Sequence, residues 1–100
     1  MEYRIDTQGE RAVIKIQGVL TFDDHEKFKG VVKSITGDDA KQIEINLAET
    51  KMIDSAGIGM LLLANDKAKK VGKTVQLSGV TGHVAKVVEL SKVDQLIPII

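Results

Sequence analysis

Cysteine is absent from the 100 residues. Its absence excludes disulfides, Cys-ligated zinc, iron–sulfur clusters and thiol chemistry. Tryptophan is absent too, and Tyr3, Phe22 and Phe28 are the only aromatics. Stacking platforms for single-stranded nucleic acid need exposed rings among basic side chains, and three rings are too few. Proline occurs once, as Pro98, so no proline-rich linker divides the chain. Neither sign of charge prevails: 14 basic side chains face 14 acidic ones. That balance argues against a general nucleic-acid binder and against a polybasic membrane anchor. His25 and His83 are the only histidines, and no His-based metal pattern is visible. The longest apolar stretch, Gly57 to Ala64, is too short to span a bilayer. The opening MEYRID has no apolar core for a secretory signal. The expectation is a cytoplasmic protein with no cofactor, no bound metal, no membrane insertion and no direct nucleic-acid partner.

What is present is aliphatic and charged, with 43% hydrophobic and 28% charged residues, which suits one globular domain spanning 1–100. The charge is divided along the chain. Residues 1–50 hold 7 basic and 10 acidic side chains, and residues 51–100 hold 7 and 4. The two halves therefore attract each other within one fold.

Hydrophobic periodicity predicts an alternating order. Tyr3 to Gln8 reads as a short strand and Gly9-Glu10 as a turn. Ala12 to Ile16 is a β-branched strand closed by Gly18, and the two strands suit an antiparallel hairpin. A helix is predicted from about Asp23 to Ile35, with Phe28, Val31, Val32 and Ile35 on one stripe and Asp23 or Asp24 as its cap. Ile43 to Leu47 alternates as a strand, and Ala48 to Asp54 reads as a loop. A second helix follows over about 56–71, then a strand over Thr74–Ser78 and a third helix over about 81–90. The apolar tail from Gln95 to Ile100 reads as a last strand or edge segment. Strand–helix–strand units with short links pair in parallel through right-handed crossovers. The predicted fold is α/β: a mixed sheet of four to five strands with helices packed mainly on one face.

One segment invites chemistry: Met52-Ile53-Asp54-Ser55-Ala56-Gly57-Ile58-Gly59, where a helix begins. Asp54 or Ser55 falls at the helix start, beside the free amides of the first turn. From local pattern alone, capping is the commoner role for a serine there. Gly57 and Gly59 each cost the helix about 1 kcal/mol against alanine. Two glycines so close to a helix start serve something other than propensity, such as the close approach of another surface.

The run Ile53-Asp54-Ser55-Ala56-Gly57-Ile58-Gly59-Met60-Leu61-Leu62 resembles the signature of the STAS family, the fold of bacterial anti-sigma factor antagonists. The segments Gly18-Val19-Leu20, Ile43–Leu47, Val75–Val80 and Val87–Leu90 also fall where that family has its counterparts. The resemblance implies a partner switch rather than an enzyme. In that family an anti-sigma factor, itself a serine kinase of the histidine-kinase-like ATPase type, phosphorylates the serine after the signature Asp. A PP2C-like phosphatase removes the phosphate. Carried over, the phosphorylation site is Ser55, and the unmodified protein holds the anti-sigma factor. The implied docking surface combines Asp54, Ala56, Gly57, Ile58 and Met60 with the loop bearing Thr21, Asp23 and Asp24. Two departures stand out. Thr21 occupies a place where the family usually has an acid, and Ala56 replaces a second hydroxyl residue, which leaves Ser55 the one acceptor in the motif.

Other readings compete. The same face suits a STAS accessory subunit of a lipid-transport ABC complex, where Ser55 need never be phosphorylated. A serine hydrolase would need His25 or His83 to reach Ser55, and the Gly-x-Ser-x-Gly elbow is missing because Ile53 holds the first glycine position. Gly57-Ile58-Gly59 is no dinucleotide fingerprint, since Leu62 stands where the third glycine belongs. The cluster of Lys67, Lys69, Lys70 and Lys73 suits the end of a helix, where cations meet the dipole.

Overall fold

A computed structural model describes all residues from Met1 to Ile100. The elements in chain order are β1 (Glu2–Gln8), β2 (Arg11–Leu20), α1 (His25–Gly37), β3 (Gln42–Asn46), β4 (Thr50–Ile53), α2 (Ser55–Lys70), β5 (Thr74–Ser78) and α3 (Gly82–Ser91). Short 3-10 turns precede α1 (Phe22–Asp24) and follow α3 (Val93–Gln95).

β1 and β2 form the predicted antiparallel hairpin, with Glu2 opposite Gln17 and Gln8 opposite Arg11. Parallel pairing then carries β2 to β3 and β3 to β5. The ten-residue β2 is longer than any one neighbour. Arg11–Lys15 pair with β3, and Gly18–Leu20 pair with β4. The register shifts between Gly18 and Val19. Gly18 has φ +88°, a left-handed value that other residues adopt only with strain. Its amide reaches the Glu49 carbonyl at 3.0 Å, so the irregularity is where β2 changes partners.

β4 corrects the sequence reading of a loop over Ala48–Asp54. Thr50 to Ile53 is too short to show alternation, and its pairing with β2 holds it in the sheet. The Thr50 hydroxyl, buried, donates to the Ile16 carbonyl at 2.8 Å. The tail is likewise less than a full strand. It touches the sheet through one parallel bridge, Leu77 to Ile99. The Leu77 amide donates to the Pro98 carbonyl and the Ile100 amide to the Leu77 carbonyl, both at 2.8 Å. Pro98 has no N–H to continue the ladder.

Along β2, β3 and β5 the residues Ala12, Ile14, Ile16, Ile43, Ile45, Val75 and Leu77 are buried. Alternate positions such as Lys15, Glu44 and Gln76 are half-buried or exposed. One sheet face therefore carries the core. The helices cover it with Phe28, Val31 and Ile35 from α1, Leu61, Ala64 and Ala68 from α2, and Val84 and Val88 from α3. Val93 and Ile97 close one end. Burial of this aliphatic surface, at about 25 cal/mol per Å², holds the helices to the sheet. Leu63 on α2 and Val71 just after it, though apolar, are 42% and 46% exposed.

Candidate functional site

β4 ends at Ile53, beside Leu20 of β2. The chain then turns into α2 through Asp54, whose backbone is extended at φ −107° and ψ −176°. Asp54 is the cap of α2. One carboxylate oxygen accepts from the Gly57 amide at 2.8 Å. The other accepts from the Phe22 amide at 3.2 Å. A single side chain thus closes the first turn of α2 and fastens the β2–α1 loop to it.

With the cap taken, Ser55 is the first helical residue, exposed to solvent. Capping is therefore not its role. The Ile58 amide bonds the Asp54 carbonyl, so the free donors at this helix start are the amides of Ser55 and Ala56. The positive end of the helix dipole surrounds the hydroxyl.

Gly57 is buried under this turn. A Cβ there would stand 2.3 Å from the Leu20 carbonyl oxygen and 2.6 Å from Ile53 Cγ1. The close approach predicted for the glycines is thus internal at Gly57: α2 presses its first turn against β2 and β4. Gly59 is different, since nothing lies within 4 Å of a Cβ built there.

The remaining expected site residues divide by burial. Ala56 is half-buried, and Thr21 likewise. Asp23 is exposed. Ile58 and Met60 point into the core with 7% and 4% of their surface exposed. Asp24 is also buried. Its carboxylate accepts from the Thr21 amide at 2.9 Å, the Thr21 hydroxyl at 3.3 Å and the Met1 ammonium at 3.0 Å. Burial pushes its pKa up, but the Thr21 amide and the Met1 ammonium outweigh that and hold it below the usual carboxylate range. Asp24 stands at the cap position of α1 but makes no side-chain cap bond to that helix, because these partners engage it. Gly57, Ile58, Met60 and Asp24 build the platform rather than its outer surface. The inward turn of Ile58 and Met60 follows from helical periodicity, which places them with Leu61 and Ala64 on the core face.

Two residues that sequence pattern does not single out stand on the outside. Phe22 is 71% exposed and Met52 44% exposed. They flank Asp54, one through the amide bond just described and one two positions earlier in β4. A lone aromatic beside two aspartates is the only sequence signal for Phe22.

The family model described as "Mlab, STAS domain" matches residues 3–98. The chain belongs to the STAS family. A STAS-domain containing protein of Pseudomonas aeruginosa strain UCBPP-PA14 is 28% identical over 91 residues, covering 91% of this STAS domain and 89% of that protein. An anti-sigma factor antagonist from Mycobacterium paratuberculosis has a similar structure, with a TM-score of 0.86 at 13% identity, covering 98% of this chain and 83% of that one. The Bacillus cell fate determinant SpoIIAA in its phosphorylated form aligns with a TM-score of 0.71 at 19% identity, covering 99% and 91%. These likenesses establish the STAS fold, with its five-stranded mixed sheet and three helices. No helix of this domain is long and apolar enough to cross a membrane.

Proposed function

We propose that this STAS domain is an anti-sigma factor antagonist that switches partners by phosphorylation of Ser55. The observation that carries the reading is the division of labour at the start of α2. Asp54 supplies the cap, which leaves the Ser55 hydroxyl exposed and without a structural duty. The similar fold of SpoIIAA in a phosphorylated form supports it. The unmodified domain holds an anti-sigma factor that is also a serine kinase of the histidine-kinase-like ATPase type, and a PP2C-like phosphatase restores that state. The domain acts by binding, in the cytoplasm, and catalyses nothing itself.

The physics is local. A phosphate adds about −1.5 to −2 charges and three acceptor oxygens. The helix dipole and the amides of Ser55 and Ala56 tolerate that charge, so the domain stays folded. A partner closing over the same spot must desolvate or repel it. A loss of about 4 kcal/mol weakens binding roughly a thousandfold. The contact surface consists of Ser55, Ala56, Asp23, Thr21 and the apolar pair Phe22 and Met52, set on the platform of Asp24, Asp54, Gly57, Ile58 and Met60.

The test is the affinity of three forms for the cognate kinase. Wild type and Ser55→Ala bind tightly, and Ser55→Asp binds weakly. Equal affinities for all three would overturn the switch. A second reading keeps the face and drops the phosphate: a lasting subunit contact in a lipid-transport ABC complex. The exposure of Phe22 and Met52 favours it, because permanent interfaces are the more apolar ones. Mass analysis of the protein from cells separates the two, since only the switch produces phosphorylated Ser55.

A further inference from the structure

The packing of α1 against α2 leaves a half-open cavity of about 200 Å³ in which Ser55 takes no part. Its apolar lining comes from Phe28 and Val32 of α1 and from Met60 and Leu63 of α2. Phe28 and Met60 are almost fully buried and form the floor, while Leu63 is 42% exposed at the mouth. The other lining residues are His25, Lys29 and Lys67. The arrangement follows from helical spacing. His25, Phe28, Lys29 and Val32 lie three or four apart on α1, and Met60, Leu63 and Lys67 do so on α2.

The chemistry of the cavity is one-sided. All three polar lining residues are basic, and no carboxylate lines it. Lys29 has a carboxylate neighbour, Glu26, at 3.0 Å on the exposed side of α1. The ion pair in this part of α2 joins Asp66 to Lys70, leaving Lys67 without an acidic partner. Lysine stems extend along apolar walls and keep the ammonium at the rim. An apolar floor under a few convergent polar groups is the general form of a small-ligand site. A cavity of roughly 150 Å³ takes a benzene ring. This one admits a ring or a short acyl segment and is too small for a long lipid tail.

We propose that the α1–α2 cavity binds a small apolar carboxylate, its ring or chain against Phe28, Val32, Met60 and Leu63 and its anion facing Lys67, the rim cation without an acidic partner. Ser55 itself does not line this site, and the proposal does not rest on its phosphorylation. Octanoate, 1-octanol and octylammonium have matched chains and different head groups, so they separate charge recognition from greasiness. Each is titrated, below its micelle concentration, into isotope-labelled protein, and the methyl resonances of Val32, Met60 and Leu63 are followed. Octanoate shifts these methyls saturably and binds about five-fold tighter than octanol, the size expected of one or two rim charges. Octylammonium binds weakest. Lys67→Glu, a change at an exposed position, reverses the order of octanoate and octylammonium. Leu63→Gln weakens all three. Equal binding of octanoate and octylammonium to the wild type would refute the proposal, as would methyl shifts that never saturate or that survive Leu63→Gln unchanged.

Discussion

The carboxylate of Asp54 reaches across 32 positions of sequence to accept the amide hydrogen of Phe22, at 3.2 Å. Its other oxygen holds Gly57 at the start of α2. The loop and the helix that carry the candidate docking surface are therefore fixed to each other by one residue, and the neighbouring serine is relieved of capping.

Asp54→Ala removes both acceptors. Loss of a helix cap costs about 1 kcal/mol and up to about 2, and the untethered Phe22 loop also gains freedom. Asp54→Asn keeps one carbonyl oxygen, so it retains the Gly57 bond or the Phe22 bond but not both. Urea denaturation should rank stability as wild type, then Asn, then Ala. Hydrogen exchange at the Phe22 amide should quicken in the Ala variant.

Gly57 and Gly59 respond oppositely to alanine. At Gly57 the new methyl meets the Leu20 carbonyl and Ile53, so α2 must move away from β2. Overpacking of this kind costs about 1–3 kcal/mol, more than the roughly 1 kcal/mol of helix propensity that alanine brings. At Gly59 the space is open, and the same substitution stabilises by up to about 1 kcal/mol. Thermal melts of the two variants check the sign of each effect.

Lys73 is buried with 7% of its surface exposed. Its ammonium donates to the Ile35 carbonyl at 2.7 Å and to the Asp38 carbonyl. Those carbonyls belong to the last turn of α1 and the residue after it, where intrahelical partners run out. Lys73→Met keeps the stem and strands both acceptors. Hydrogen bonds to charged groups contribute about 1.5–3 kcal/mol each in net stability, so a loss of about 2 kcal/mol or more is expected. It should appear as a lower denaturation midpoint with an unchanged slope.

Acid sensitivity follows from Glu44 and Asp38. The Ser78 hydroxyl, 2.6 Å away, and the Arg11 guanidinium hold the Glu44 pKa below its ordinary value against a smaller opposing effect of burial. The Ala40 amide and the Thr7 hydroxyl do the same for Asp38. In the unfolded chain these groups titrate near their usual values of about 4. As pH falls past about 5 the unfolded state therefore binds protons first, and stability drops until the folded carboxylates protonate as well. The stabilisation is fully present above that window. Glu44→Gln should be less stable near neutral pH and show a flatter decline between about pH 5 and 3 than wild type. A set of denaturation curves across that range measures both.

Most elements are legible in the residue pattern. Ala12–Ile16, Ile43–Leu47 and Thr74–Ser78 alternate cleanly because one face of each strand is buried and the other is not. Phe28, Val31 and Ile35 mark the inward stripe of α1 for the same reason. Legibility fails where a contact lies outside the local window. Thr50–Ile53 has no periodicity of its own and is a strand only because the far end of β2 has unpaired backbone to offer. Met60 and Ile58 lie within the signature that suggests a docking face, yet burial in the core takes them away from it.

The sequence by itself determined the α/β class, the family and the position of the Asp-Ser pair at a helix start, since these follow from periodicity and from a contiguous motif. Only the tertiary structure decided which of the two residues caps α2. In the folded chain the Asp54 carboxylate accepts from the Gly57 amide of its own turn and from the Phe22 amide of another segment, a meeting that no local stretch specifies. It also decided that Gly57 serves internal packing while Gly59 stays open, because the distance from a helix to the strands beneath it is set by the whole core and is written in no short stretch of chain.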